Sequence, residues 1–146
     1  MSARQVRGYS LVELVIVVVI GAIIAAIAIP MFNQPQIDAA WYHEQVRSAV
    51  RHAQRTAVAQ RRPVFVVVEA APTRLSLCYA AGCGAGTRLP QPGSADTFEL
   101  VAPSGLVLGI SASPLAFNGL GQPSSGATVT VGPRTVVVNA ETGYVQ

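Results

Sequence analysis

The chain has 146 residues and a formal net charge of +3, with 51% apolar, 12% charged and 6% aromatic residues. This length allows one domain of modest size and leaves little room for a second. The apolar fraction excludes an intrinsically disordered chain, and the low charge excludes a highly solvated coiled coil. Thirteen glycines and ten prolines favour many turns, so the composition also argues against an all-helical bundle.

The N-terminal segment predicts a helix that crosses a membrane. Residues 1–8 form a short, polar and basic segment, and residues 14–32 are 19 consecutive residues without a charged side chain. A helix of that length spans about 28 Å, close to the ~30 Å of a bilayer hydrocarbon core. The next basic residue after Arg7 is Arg47, so the distribution of positive charge places the N-terminus in the cytoplasm and the rest of the chain across the membrane.

Three interpretations fit this segment. It could be a secretory signal peptide with a small-x-small cleavage site at Ala26-Ile27-Ala28, or an ordinary single-pass anchor. Neither interpretation explains Glu13, because placing its carboxylate toward the centre of a bilayer costs about 2–3 kcal/mol. Cleavage after Gly8 would give Tyr9 a free α-amino group about one helical turn before Glu13. In a stack of parallel helices, Glu13 of one copy could then reach the Tyr9 amine of the next.

The residues around Glu13 resemble a known N-terminus. The run begins at Gly8 and reads GYSLVEL, and a long apolar stretch with Gly21 and Pro30 follows it. This pattern is similar to that of type IV pilins and type II secretion pseudopilins. The resemblance implies that a prepilin peptidase cleaves after Gly8 and methylates Tyr9, which stands where the family usually has Phe. It also implies that Glu13 guides assembly and that Pro30 kinks the helix.

An amphipathic helix is predicted over residues 37–60, after a kink or short unwinding between residues 29 and 36. Its apolar residues recur at the i, i+3, i+4 spacing of one helix face: Val46, Ala49, Val50, Ala53 and Ala57. Arg61 and Arg62 lie where the helix should end, and Pro63 prevents its continuation.

Arg47, Arg51 and Arg55 form a row on another face of this helix, which fits either a nucleic-acid patch or a solvated face with a Glu44–Arg47 pair. Cleavage after Gly8 leaves eight arginines against seven acids, a weak field for DNA. DNA-binding minor pilins of the FimT type carry C-terminal arginines, which residues 143–146 lack. We therefore expect a solvated face and no nucleic-acid binding.

Catalytic and metal chemistry find no support in the sequence. His43 and His52 are nine residues apart, so they do not stack on one helix face as metal ligands would, and we expect both to be surface histidines. The sequence has no Ser/His/Asp grouping and no phosphate-binding loop. We expect no enzyme activity, no cofactor and no metal.

After Pro63 the pattern changes to short apolar or alternating runs separated by turn residues, which predicts a β domain. Strands are expected at 64–69, 74–79, 97–101, 106–110, 128–131 and 135–139, with weaker ones at 115–117 and 144–145. Turns at 71–73 and 140–143 would close two hairpins, and residues 82–94 and 123–126 would be loops. The Val-rich strands 64–68 and 136–138 should be central and buried, with the amphipathic helix covering one face of the sheet.

The later part of the β half also resembles a known class. Residues 117–123 read FNGLGQP, and a terminal hairpin turns at Thr142-Gly143. Together with the N-terminal motif, these features are similar to the GspH/FimT class of minor pilins and pseudopilins, and to minor pilins of the mannose-sensitive-haemagglutinin type.

Cys78 and Cys83 predict a disulfide, because export places an even pair of cysteines in an oxidising compartment. Four intervening residues that end in Gly82 are enough to bring two Cα atoms to about 5.5 Å in a turn. A redox motif would have two residues between its cysteines, and a zinc site would need two further ligands. The bond should hold the Gly-rich loop that follows.

The sequence thus predicts an α+β protein, a long N-terminal helix packed on an antiparallel β domain. The expected parts are a leader at 1–8, a transmembrane and filament-core helix at 9–32, an amphipathic arm at 33–62 and a periplasmic β domain at 63–146. The expected function is that of a minor pilin or pseudopilin in the inner membrane and then in a type IV pilus or type II secretion pseudopilus. Its expected partners are other pilins or pseudopilins, the prepilin peptidase, the inner-membrane assembly platform and membrane lipid. The alternative is a secreted periplasmic binding domain released by cleavage after Ala28.

Overall fold

The computed structural model describes residues 10–28 and 35–146. The chain divides into two compact units, Met1–Pro35 and Gln36–Gln146. The predicted cleavage site at Gly8 and Tyr9 lies outside the described residues, as do Pro30 and the predicted kink.

The described part of the first unit is helix α1, Leu11–Ala28. The Leu14 N–H donates to the Ser10 carbonyl oxygen at 3.2 Å, which closes its first turn. Residues 15–20 are all β-branched, and such side chains lower helix propensity in water. A lipid environment removes that disadvantage, because a backbone without access to water must satisfy its hydrogen bonds internally. Within the described residues, no helix combines the length and the hydropathy that a membrane crossing requires.

Helix α2, Pro35–Gln60, is the first element of the second unit, which includes all of the helix after Pro35. Proline at the first helical position sacrifices no hydrogen bond, and Asp38 in the first turn complements the helix dipole. The helix ends in a Schellman turn, in which the Arg62 N–H donates to the Ala57 carbonyl at 3.2 Å and the Arg61 N–H to the Val58 carbonyl at 3.3 Å. Arg61 takes the left-handed conformation that such turns require, with φ 50°. The helix therefore ends at Gln60 as predicted, through this turn and before Pro63 is reached.

The buried face of α2 is the one that the spacing predicts. The five predicted residues are at most 1% exposed, and Tyr42 extends the same face toward the start of the helix. They form one core with apolar residues of both sheets, so the prediction that α2 covers the β domain is confirmed. The Tyr42 hydroxyl donates to the Leu100 carbonyl at 2.9 Å, and burial raises the pKa of this phenol to about 12.

Two antiparallel sheets complete the second unit. The first has the strand order β3-β2-β1-β5 and the second the order β4-β6-β7. The strands are β1 Val64–Ala70, β2 Thr73–Cys78, β3 Glu99–Val101, β4 Leu108–Ile110, β5 Leu115–Phe117, β6 Ala127–Val131 and β7 Arg134–Val138. The fold is the α+β arrangement that the sequence predicts, and the turn after Ala70 closes the predicted hairpin between β1 and β2.

The two Val-rich strands differ in position. Strand β1 is central, as predicted, but the prediction that β7 is central is wrong, because β7 lies at an edge of its sheet. Its alternation buries Val136 and Val138 and leaves Val137 exposed. The outer edge of β7 is covered by the C-terminal residues, which bridge Val138 to Val145 and exchange hydrogen bonds between Val137 and Gln146. The predicted last strand is therefore present only as this short covering segment.

A disulfide joins Cys78, at the end of β2, to Cys83. The two Cα atoms are 5.3 Å apart, and both side chains are buried. The loop that follows folds back along β2, where the Tyr79 N–H donates to the Thr87 carbonyl at 2.7 Å and the Leu89 N–H to the Leu77 carbonyl at 2.8 Å. The cross-link thus lies at the start of the Gly-rich loop.

Candidate functional site

The first candidate surface is α1 itself. Side chains along the helix are exposed, from Leu11 at 79% to Ile24 at 61%, and they are almost all apolar. Glu13 is the exception and lies in the first turn, where the helix dipole favours a negative charge. Within residues 10–28 its carboxylate makes no ion pair or hydrogen bond. An apolar surface of this kind needs lipid or other apolar helices to cover it.

The second candidate surface lies on the last turns of α2, where Gln54 holds two loops together. Its amide donates to the Gly121 carbonyl at 3.0 Å and to the Thr142 carbonyl at 3.3 Å. Residues 118–122 and residues 139–143 therefore meet on one helix, although 16 residues lie between them in the chain. Sequence patterns did not single out Gln54, because a half-buried glutamine on a helix has no periodic or motif signal.

Glycines allow these loops to approach α2. A Cβ at Gly119 would lie 3.0 Å from the backbone of Arg61, and one at Gly121 would lie 2.9 Å from the Val58 side chain. Gly143 has φ +70°, and a Cβ there would collide with the Gly121 carbonyl oxygen. The positive φ and the close neighbours of Gly143 explain why a larger residue does not fit at this position.

The arginine row is not a uniform solvated face. Arg47 pairs with Glu44 at 3.5 Å, as predicted. Arg51 instead donates to the Val145 carbonyl at 3.0 Å, so it holds the C-terminal segment against α2. Arg55 is exposed and makes no ion pair or side-chain hydrogen bond within the described residues. The expectation of a solvated row is therefore wrong for Arg51, whose partner is remote in sequence.

The two histidines do not come together. His43 Nε2 lies 3.2 Å from the Thr135 carbonyl oxygen, and the His52 ring stacks on Phe98 with centroids 5.6 Å apart. Both are half-buried, so they lie at the surface of the protein and also take part in its packing. Within residues 10–28 and 35–146, no group of three His, Cys, Asp or Glu side chains could hold a metal ion.

A charged cluster on the first sheet was not predicted. Arg74 donates to Glu69 at 2.7 Å and to Glu99 at 3.1 Å, and Arg88 contacts the same two carboxylates. The hydrogen bond from Arg74 is the largest cause that holds the pKa of Glu69 below its usual value. Glu69 and Arg74 face each other across the β1–β2 hairpin, so the predicted turn could have revealed this pair. The contribution of Glu99 and Arg88 depends on strand order and could not be read from the pattern.

Comparison with known proteins finds matches for the N-terminal segment and for the fold. Residues 3–29 match the family described as the prokaryotic N-terminal methylation motif. The fold is similar to that of the type IV minor pilin FimU of Pseudomonas aeruginosa, with a TM-score of 0.56 and 15% identity over 76% of this chain and 88% of that one. It is also similar to the minor pseudopilin EpsH from the type 2 secretion system of Vibrio cholerae, with a TM-score of 0.54 and 15% identity over 78% of this chain and 95% of that one.

Among curated proteins, none matches the chain in sequence at a significant level. The methylation motif covers α1, and the structural likeness covers most of the chain, so the two findings are complementary. The chain thus combines an N-terminal methylation motif with a fold similar to that of a minor pilin and of a minor pseudopilin.

Proposed function

We propose that the chain is a structural subunit, a minor pilin or pseudopilin, that assembles through α1. The observation that carries this proposal is a single carboxylate, Glu13, on an exposed apolar helix that lies within the matched methylation motif. The α+β unit that follows has the fold of a minor pilin and of a minor pseudopilin. Both neighbours are structural subunits, so we assign the chain no catalytic activity.

Processing supplies a positively charged partner for the Glu13 carboxylate. Cleavage after Gly8 removes the leader and gives Tyr9 a free amine, which is then methylated. Residues 9–32 anchor the mature chain in the inner membrane with its N-terminus on the cytoplasmic side, because the basic residues of the leader precede the apolar segment. The β unit then lies in the periplasm, where an oxidising environment suits the disulfide between Cys78 and Cys83.

Assembly moves α1 from lipid into a bundle of similar helices. Lipid tails are as apolar as Val and Ile, so the hydrophobic effect alone does not select one helix register in the membrane. An unpaired carboxylate in such surroundings costs several kcal/mol, and a neighbouring Tyr9 amine relieves this cost in one register only. Outside the membrane, burial against neighbouring helices at roughly 25 cal/mol per Å² keeps the exposed apolar side chains out of water. Glu13 therefore sets the register, and the apolar surface stabilises the filament.

Release after Ala28 is not favoured. Helix α1 continues through Ala26-Ile27-Ala28, and the methylation motif matches the chain as far as residue 29. Processing at that point would remove α1 together with Glu13, which leaves the motif without a function. The proposed subunit therefore keeps α1 in its mature form and assembles through it.

The Glu13→Ala variant tests the role of this carboxylate. We expect it to reach the membrane and fold, but to be absent from sheared filaments, because no charge remains to select the register. Val12→Ala is the matched control, since it shortens an apolar side chain in the same helical turn and leaves the charge unchanged. Both proteins are followed by immunoblots of membrane and filament fractions. Normal incorporation of Glu13→Ala would remove the role assigned to Glu13.

A further inference from the structure

Three apolar side chains are exposed where the two loops meet α2. Leu120 is 82% exposed, Tyr144 58% and Val58 47%. Gly119 and Gly121, on either side of Leu120, lie against Arg61 and Val58. Tyr144 follows Gly143, which lies against the Gly121 carbonyl. We call Leu120, Tyr144, Val58 and the adjacent Arg55 and Arg61 the Leu120 surface. A cluster of this kind differs from apolar residues scattered singly, which are common on protein surfaces.

The loop that carries Leu120 is held in one conformation. The Asn118 side-chain oxygen accepts hydrogen bonds from the N–H groups of Leu120 and Gln122, each at 3.0 Å. The Gly121 N–H donates to the Asn118 carbonyl at 2.9 Å, and Gln54 binds the Gly121 carbonyl from α2. These bonds keep an apolar side chain in water, where it contributes nothing to the core. A side chain that is already ordered loses little entropy when a partner covers it.

The charge of the Leu120 surface is mainly positive. Arg55 lies one helical turn before Val58 and Arg61 lies in the Schellman turn, and both are exposed. Neither makes an ion pair within the described residues, and Glu141 is the acidic residue of the adjacent 139–143 turn. Arginine and tyrosine are enriched in protein interfaces, where each combines an apolar body with a polar end. A complementary partner presents an apolar surface with carboxylates around it.

We propose that the Leu120 surface docks onto an acidic, apolar surface of a neighbouring pilin-like subunit. This inference rests on the proposed function and adds to it a second contact, made by the α+β unit and separate from α1. Leu120 inserts between apolar side chains of the neighbour, and Arg55 and Arg61 pair with its carboxylates. The contact distinguishes one neighbouring subunit from others, because the α1 surface is uniformly apolar apart from Glu13.

Site-specific photo-crosslinking of the full chain in filament-producing cells tests this contact. A photoreactive amino acid is placed at position 120 and, as the control, at position 107. Val107 is 69% exposed, and its carbonyl accepts from Gly132 in the β6–β7 turn, at the opposite end of the second sheet from residues 139–143. We expect position 120 to capture a chain that itself carries the N-terminal methylation motif, through a peptide with more acidic than basic residues. Position 107 should give at least about tenfold less of this product. Equal yields at both positions, or capture of a basic peptide, would overturn the inference.

Two substitutions test the same contact without a crosslinker. Leu120→Asp should lower the amount of the protein in filaments about tenfold, the change expected when about 1.4 kcal/mol of contact energy is lost. Arg55→Glu should lower it as well, whereas Arg134→Glu, at another exposed arginine, should not. Unchanged membrane levels of all three variants show that they fold.

The outcomes separate this inference from the proposed function. If the parent chain enters filaments and the Leu120→Asp variant enters them equally well, the Leu120 contact is wrong and the assembly role stands. If the parent chain itself is absent from filaments, both proposals are wrong.

Discussion

Substitution of Gly143 by alanine tests how the loops are held on α2. Gly143 has φ +70°, and a left-handed conformation costs an L-residue about 1–2 kcal/mol. A Cβ at this position would also meet the Gly121 carbonyl oxygen and would lie 2.7 Å from the Gln54 side-chain nitrogen, and forcing an extra carbon into a closed space costs about 1–3 kcal/mol more. We therefore expect Gly143→Ala to lower the free energy of unfolding by about 2–5 kcal/mol.

The measurement is urea unfolding of the full chain in detergent, followed by circular dichroism. Gly105→Ala is the matched control, because Gly105 has a similar φ of +82° with nothing within 4 Å of an added Cβ. Gly105→Ala should lower the free energy of unfolding only by the cost of the left-handed conformation, about 1–2 kcal/mol. Equal losses for the two variants would refute the reasoning, since they would show that the space around Gly143 has no energetic effect.

Three further substitutions test single contacts. Gln54→Ala leaves the carbonyls of both loops without their donor and should cost about 1–3 kcal/mol of unfolding free energy. Tyr42→Phe removes one buried hydrogen bond and should cost about 1 kcal/mol in the same assay. The hydrogen bond from Arg74 holds the folded-state pKa of Glu69 below its ordinary value of 4.5. The contribution of the ionised Glu69 to stability is therefore complete above pH 4.5 and is lost as the pH falls through the lower folded-state pKa. Glu69→Gln should therefore flatten the loss of stability on the acid side in a pH series of urea unfolding.

Matched controls for these substitutions come from exposed residues of the same types. Gln60→Ala, Tyr144→Phe and Glu141→Gln remove side-chain groups that make no hydrogen bond or ion pair within the described residues. Each should leave the free energy of unfolding within about 0.5 kcal/mol of the parent value. A control that changes stability as much as its buried counterpart would show that the contact in question is not the cause.

Local patterns were enough to predict much of the fold. The helical spacing of Val46, Ala49 and Val50 predicted the buried face of α2, because these residues lie on one side of the helix and pack into one core. The turn chemistry between β1 and β2 reported a hairpin, since both strands are adjacent in sequence. The spacing of Cys78 and Cys83 is likewise a local property, and the structure joins the pair.

Long-range relations could not be predicted in the same way. The edge position of β7 depends on which strands pair across long connections, and an apolar run does not report this. The partners of Arg51 and Gln54 lie 94 and 67 or more residues away in the chain, so a helix pattern leaves both as ordinary polar residues. The Leu120 surface likewise exists only because residues 118–122 and 139–143 meet on α2.

The intact mass of the protein purified from cells with an active prepilin peptidase tests the central claim most directly. A subunit that assembles through Glu13 requires a free N-terminus at Tyr9, so the account predicts a chain that begins at Tyr9 and carries one added methyl group. A chain that retains residues 1–8, or one that begins at Ile29, would contradict it.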